Sequence, residues 1–209
     1  MNHHHLLWSD ASLLEILENI DIALFLILNN VFANPVLDGF FIVVTDFDNW
    51  ILPALFACGF FIYYERKKAL LIIGLALLTV AITDPLCYRV LKPFFGRLRP
   101  CHPREFIEGG RFLLGLRTSL SFPSAHAMNI FAQAALFGWF YPGRIIWFAL
   151  FAGIIGYSRI YVGVHFPFDA AAGAVFGICA GSGVFLAFYF TKRNLTAKQE
   201  RAGSLDSPN

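Results

Sequence analysis

The sequence predicts an all-α, polytopic membrane protein folded as one helical bundle. Hydrophobic residues fill 57% of the 209 positions and charged residues only 14%, whereas a soluble domain carries about 25% charged residues. The mean hydropathy of +0.62 supports the same interpretation. A chain of this length holds one bundle of membrane helices but not two domains. The composition therefore excludes a soluble enzyme.

Five apolar runs are long enough, or nearly so, to cross the hydrocarbon core of a bilayer, which takes about 20 residues of helix. They cover residues 49–64, 69–91, 123–141, 145–163 and 169–191. Short polar connectors at 65–68 and 142–144 indicate tight turns between neighbouring spans. The longer connector, residues 92–122, carries several arginines. We therefore predict five transmembrane helices and one long basic loop.

The segment 1–48 is predicted to begin with an amphipathic helix at the membrane interface. Its acidic residues, Asp21 among them, should lie off the apolar face. The apolar run 22–33 follows and is shorter than a full span, and Asn34-Pro35 then breaks the helix. This run is either a sixth span or part of a re-entrant hairpin, and the sequence leaves both open.

The chain therefore divides into the N-terminal segment 1–48, a membrane domain at 49–191 and a polar, basic tail at 192–209. The tail is predicted to be disordered. Counting crossings puts the loop 92–122 on one face of the membrane and the tail on the other. The 16 lysines and arginines divide evenly between the faces, so their number gives no orientation. If some basic residues on the loop face bind an anionic ligand, the others place the tail in the cytoplasm and the loop outside.

Three segments at the loop face carry charged groups, each of which a bilayer penalises by about 2.5–3.5 kcal/mol. They read KPFFGRLRP at 92–100, FPSAHAMN at 122–129 and SRIYVGVHFPFD at 158–169. Pro123 is typical of a helix start, so backbone N–H groups of that first turn can face a phosphate. Pro167 likewise starts a helix and puts Asp169 in its first turn. There Asp169 can reach His165, fix its tautomer and raise its basicity.

This set of groups indicates phosphoryl transfer without a metal or other cofactor. Basic side chains and a helix N-terminus stabilise charge on phosphate oxygens. Of the two histidines, one can attack phosphorus and the other can protonate the departing oxygen. The cysteines show no metal-ligand spacing, and Asp84 and Asp169 are the only acids in the last four spans. Whether Cys87 and Cys101 form a disulfide is left open.

The patterns KxxxxxxRP at 92–100, PSAH at 123–126 and SRxxxxxHxxxD at 158–169 resemble the three-part signature of the type 2 phosphatidic acid phosphatase superfamily. The resemblance covers about residues 50–191. It implies that the phosphate is bound by Lys92, Arg99, Ser124 and Arg159. It also implies that His126 is the general acid, that His165 is the nucleophile that becomes phosphohistidine, and that Asp169 orients His165. Ala125 departs from the glycine usual in the family, but a methyl group fits a helical backbone.

The leading interpretation is a metal-independent lipid phosphatase of a bacterial inner membrane, with its active site facing the periplasm. The candidate substrates are a polyprenyl diphosphate, phosphatidylglycerol phosphate, phosphatidic acid and the 1-phosphate of lipid A. Candidate headgroup contacts are Arg97, Arg104, Arg111 and Arg117, which favour a headgroup with more than one anionic group. Two alternatives stay open: a lipid phosphotransferase that uses the same histidine, and a non-catalytic lipid-binding or scramblase homologue. The predicted partners are the bilayer and a lipid substrate, with no nucleic acid and no inferred protein partner.

Overall fold

The computed structural model describes residues 4–205 and the side chains of residues 13–200. Within these ranges all regular structure is helical, which confirms the predicted fold class. The helices are α1 (His4–Asn30), α2 (Pro35–Thr45), α3 (Asp48–Glu65), α4 (Lys67–Pro85), α5 (Lys92–Phe95), α6 (Ala125–Phe140), α7 (Ile145–Tyr161) and α8 (Pro167–Leu205). A π-helical turn, Leu86–Leu91, joins α4 to α5, and a 3₁₀ turn, Pro142–Arg144, precedes α7.

Helices α6 and α8 form the closest pair in the bundle. Glycines on α8 recur every fourth residue at Gly173, Gly177 and Gly181, and a Cβ on any of them would lie only 2.1–2.5 Å from a backbone carbonyl oxygen of α6 or its N-cap. Small residues at such spacing let two membrane helices approach backbone to backbone. At the end of the pair, the Ser124 N–H donates to the Asp169 carbonyl oxygen at 2.9 Å. This packing holds the N-termini of α6 and α8 side by side.

Three helical stretches have the length and apolar character of membrane spans: Lys67–Phe95, Pro142–Tyr161 and Pro167–Glu200. The pair Leu13–Asn30 and Pro35–Thr45, bent by 113°, forms a fourth candidate if it is counted as one span. Helices α3 and α6 were also predicted to span. Helix α6 has 16 residues, or about 24 Å of helix, against a hydrocarbon core of about 30 Å. The protein is thus a polytopic membrane bundle, and the count of five spans stays a prediction.

Both ends of the chain differ from the sequence predictions. Helix α1 is continuous from His4 to Asn30, and its Asp21 is fully buried instead of lying on a polar surface. Helix α8 runs through Leu205, so the predicted disorder of the tail is wrong for residues 192–205. Residues 206–209 lie outside the described part of the chain. Cys87 and Cys101 are both buried free thiols.

Candidate active site

A cavity of about 430 Å³ opens where α6 begins and α7 ends. Arg99, His126 and Arg159 line its polar side. The facing wall comes from the C-terminal end of α2 and the turn after it, including Thr45 and Phe47. Residues 92–122, α6, α7 and the N-terminal segment therefore all contribute to one site.

The pair His165 and Asp169 lies beside this cavity, at the start of α8. Nδ1 of His165 is 3.2 Å from Oδ2 of Asp169, and the same oxygen accepts the Phe166 N–H at 2.8 Å. On the other side of the ring, Nε2 of His165 lies 3.1 Å from Nη1 of Arg99. Because Arg99 can only donate, these partners define a neutral imidazole with its proton on Nδ1 and its lone pair on Nε2.

The pKa of His165 is held well below its usual range, first by burial and then by the positive charges of Arg99 and Arg159. The residue as a whole is 1% exposed. Desolvation and two guanidinium groups therefore outweigh the carboxylate of Asp169, and the net pKa of His165 is lowered. A neutral His165 has the lone pair that a nucleophile needs at physiological pH.

Three buried cations, Lys92, Arg99 and Arg159, lie near the histidine, and the two arginines also line the cavity. Lys92 donates from Nζ to the carbonyl oxygens of Leu120 and Ser121, at 2.7 and 3.0 Å. Arg99 donates from Nη1 to the Val164 carbonyl oxygen at 2.8 Å. Their exposed fractions are 3% for Lys92 and 8% for Arg99.

Arg159, also 8% exposed, donates from Nη1 to Thr45 Oγ1 at 2.6 Å. Among the side chains that the structure describes, neither Lys92, Arg99 nor Arg159 pairs with a carboxylate. Buried charge without a counter-ion is costly, so the three cations define a site for an anion.

The start of α6 differs by two residues from the prediction. Pro123 lies before the helix, Ser124 is the N-cap and Ala125 is the first helical residue. The Ser124 hydroxyl is fully buried and accepts the Ala127 N–H at 3.5 Å. His126 therefore sits in the first turn and lines the cavity, while the Ser124 side chain caps its own helix.

The four candidate headgroup arginines separate into different environments. Arg117 is exposed and lines the cavity. Arg104 is exposed in the loop. Arg111 forms an ion pair with Asp38. Arg97 lies between two carboxylates, with Nη1 2.9 Å from Oδ1 of Asp169 and 2.7 Å from Oδ2 of Asp21. Only Arg117 of these four reaches the cavity wall in the described part of the chain.

Several residues that support the site were not predicted from the sequence. Ser121 donates its hydroxyl to Oδ2 of Asp169 and lies 3.3 Å from Nδ1 of His165. Thr45 holds Arg159, and Asp21 faces Arg97. Of these, only Asp21 carries a local signal, because an acid within an apolar segment is a functional candidate by its cost alone.

The fold and the site together define an integral membrane phosphatase. The family model described as the PAP2 superfamily matches residues 69–193, more than half of the chain. The protein therefore belongs to the PAP2 superfamily, which confirms the resemblance found in the three motifs. As a member it is a membrane lipid phosphatase.

Three similar proteins come from bacteria. The chain is 34% identical over 174 residues to a lipid A 4'-phosphatase of Porphyromonas gingivalis, covering 81% of this chain and 73% of that protein. The crystal structure of Aquifex aeolicus LpxE superposes with a TM-score of 0.62 at 30% identity, covering 78% of this chain and 92% of the other. A PAP2 type phosphatidylglycerolphosphate phosphatase from Bacillus subtilis gives a TM-score of 0.61 at 25% identity, covering 85% and 87%.

Proposed function

We propose that this membrane lipid phosphatase hydrolyses a phosphate monoester of lipid A, with the 4'-phosphate as the preferred position, through a phosphohistidine on His165. The main support is the neutral His165, whose Nε2 is in contact with one of three buried cations that lack a carboxylate partner. The similarity to the lipid A 4'-phosphatase of Porphyromonas gingivalis supports the choice of lipid A as the substrate. Arg117 on the cavity wall supplies a further cation for a headgroup with a second anionic group.

In the first step, Lys92, Arg99 and Arg159 bind the phosphate oxygens. Arg99 exchanges its hydrogen bond to Nε2 of His165 for one to the phosphate, which frees the Nε2 lone pair. Nε2 attacks phosphorus, the bond to the sugar oxygen breaks, and His126 donates its proton to that oxygen. Asp169 holds the Nδ1–H and stabilises the positive ring that forms.

In the second step, His126 is neutral and accepts a proton from a water molecule. The oxygen of that water attacks phosphorus, the P–N bond breaks, and its electron pair returns to Nε2 of His165. Inorganic phosphate leaves and His126 is again protonated. A phosphotransferase would differ only here, because the hydroxyl of an acceptor would replace water, and a phosphorylated acceptor would then form instead of free phosphate.

A phosphate-release assay on the purified protein in detergent tests the substrate and the absence of a metal together. We expect lipid A to lose one phosphate, with fragment-ion spectra placing the loss at the 4' position, and the rate to be unchanged in excess EDTA. Phosphatidic acid, phosphatidylglycerol phosphate and a polyprenyl diphosphate should react more slowly, and the His165→Ala protein is the control. Loss at the 1 position, or faster release from a glycerophospholipid, would contradict the proposed substrate. Activity that EDTA removes and Mg²⁺ restores would contradict the mechanism.

A pair of cysteine variants tests the proposed periplasmic site and cytoplasmic tail. Glu105 lies in the loop near the site and Glu200 near the end of α8, and both are exposed. In intact cells of a bacterial host, Glu105→Cys should react with a membrane-impermeant maleimide, and Glu200→Cys should react only after lysis. The wild-type protein measures background labelling of its four native cysteines. The reverse pattern would place the active site in the cytoplasm.

A further inference from the structure

Helix α1 contributes a fully buried carboxylate, Asp21, to the base of the active site. Its Oδ1 accepts the Phe168 N–H at 2.8 Å, in the first turn of α8. Its Oδ2 lies 2.7 Å from Nη1 of Arg97. Asp21 precedes the segment 69–193 that the family model matches, so it is not part of the shared motifs.

The same nitrogen of Arg97 also lies 2.9 Å from Oδ1 of Asp169. The guanidinium group is further fixed by stacking on the Phe166 ring, with its carbon 4.1 Å from the ring centroid. Asp169 in turn meets His165 through Oδ2. A continuous chain of contacts therefore runs from Asp21 through Arg97 and Asp169 to His165.

Two buried carboxylates contact the same guanidinium nitrogen, and this arrangement affects how strongly Asp169 interacts with His165. With Asp21 present, Arg97 interacts with two carboxylates and neutralises the negative charge of Asp169 less completely. Asp169 then attracts the Nδ1–H of His165 more strongly. Without the charge of Asp21, Arg97 would pair with Asp169 alone. Asp169 would then attract the Nδ1–H less strongly and stabilise the positive ring of the attack less well.

We propose that Asp21 is a positioning residue for the phosphatase reaction, acting on His165 through Arg97 and Asp169. The inference depends on the proposed function, in which His165 is the nucleophile. A role limited to anchoring α1 on α8 would need only the bond from Phe168 to Oδ1.

Asp21→Asn separates these two roles, because an asparagine keeps the Oδ1 acceptor for Phe168 and removes the charge that faces Arg97. We expect kcat and the single-turnover rate of His165 phosphorylation to fall about 10-fold, a typical coupling for groups in contact. KM should change by less than about twofold, since substrate contacts are intact. Glu18→Gln is the matched control, because Glu18 lies on the same helix and is exposed.

The acid limb of kcat/KM gives a second readout. His165 faces the charged or titratable groups Lys92, Arg99, His126, Arg159 and Asp169, and only the influence of Asp169 should change in the variant. Because weaker negative charge lowers the pKa of a histidine, the acid limb of Asp21→Asn should move to lower pH. An anchoring role alone would leave it in place.

A double-mutant cycle completes the test. In an Arg97→Gln background, Asp21→Asn should have no further effect on kcat. A folded Asp21→Asn protein with wild-type kcat, or a full additional loss in that background, would overturn the proposal. If Asp21→Asn does not yield folded protein, Asp21→Ser replaces it, since a hydroxyl oxygen can accept a hydrogen bond but carries no charge. Wild-type kcat in that variant would also overturn the proposal. Absence of the label on wild-type His165 would instead contradict the proposed function.

Discussion

His165→Ala is expected to lower turnover of every substrate by at least about 10⁴-fold, the scale on which losing a nucleophile acts in covalent catalysis. The reason is that His165 supplies the attacking lone pair, with its Nε2 3.1 Å from Nη1 of Arg99 in the cluster of cations. A rapid quench at alkaline pH, where a phosphoramidate bond survives, should trap a phosphoryl group on wild-type His165 and none on the variant. Peptide mass spectrometry identifies the labelled residue.

The matched control for this experiment is His102→Ala. His102 is a second buried histidine near the site, and its Nδ1 accepts the Arg104 N–H at 3.2 Å. This variant should keep both label and turnover. A label on Ser124, or one that survives in His165→Ala, would show that the nucleophile is assigned wrongly.

The helices that hold the site follow directly from local sequence signals. The apolar run 69–91 lies within the helical stretch Lys67–Phe95, and the run 169–191 lies within α8. Pro167 begins α8, and Asp169 in its first turn reaches back over the helix N-terminus to His165. Features that depend on residues close together in the chain could therefore be predicted from the sequence.

The hydrogen bonds that hold the site residues in place could not be predicted in this way, because they join residues far apart in the sequence. Thr45 holds Arg159 across 114 positions, and Phe168 donates to Asp21 across 147. No periodicity or spacing signals such a pairing. Arg97 shows the same limit: as part of a basic loop it was a candidate for the lipid headgroup, yet two buried carboxylates hold it inside the protein.

The pKa of His165 could not be predicted from its aspartate partner alone. The sign depends on burial and on Arg99 and Arg159, which approach from the loop and from α7. Since the lowered pKa keeps the imidazole neutral, the acid limb that His165 sets in kcat/KM should lie below pH ~6.5, the ordinary titration point of histidine.

The division of labour between His126 and His165 predicts that the His126→Ala variant is sensitive to the leaving group and that the His165→Ala variant is not. A general acid contributes about 10²–10⁴-fold, and most when the departing oxygen is strongly basic. His126→Ala should therefore slow phosphoryl transfer from lipid A, whose leaving group is a sugar alkoxide, by that factor. Transfer from p-nitrophenyl phosphate should slow by less than about 10-fold, because its phenolate leaves without a proton.

The first step must be isolated for this comparison, since His126 also activates water in the second. Stopped-flow detection of p-nitrophenolate does so, because one equivalent is released as His165 becomes phosphorylated. We expect His126→Ala to show a full burst followed by slow turnover, with phosphohistidine accumulating, and His165→Ala to show no burst. Equal sensitivity of the two variants to the leaving group, or a His126→Ala burst as slow as its reaction with lipid A, would contradict the assignment of His126 as the acid.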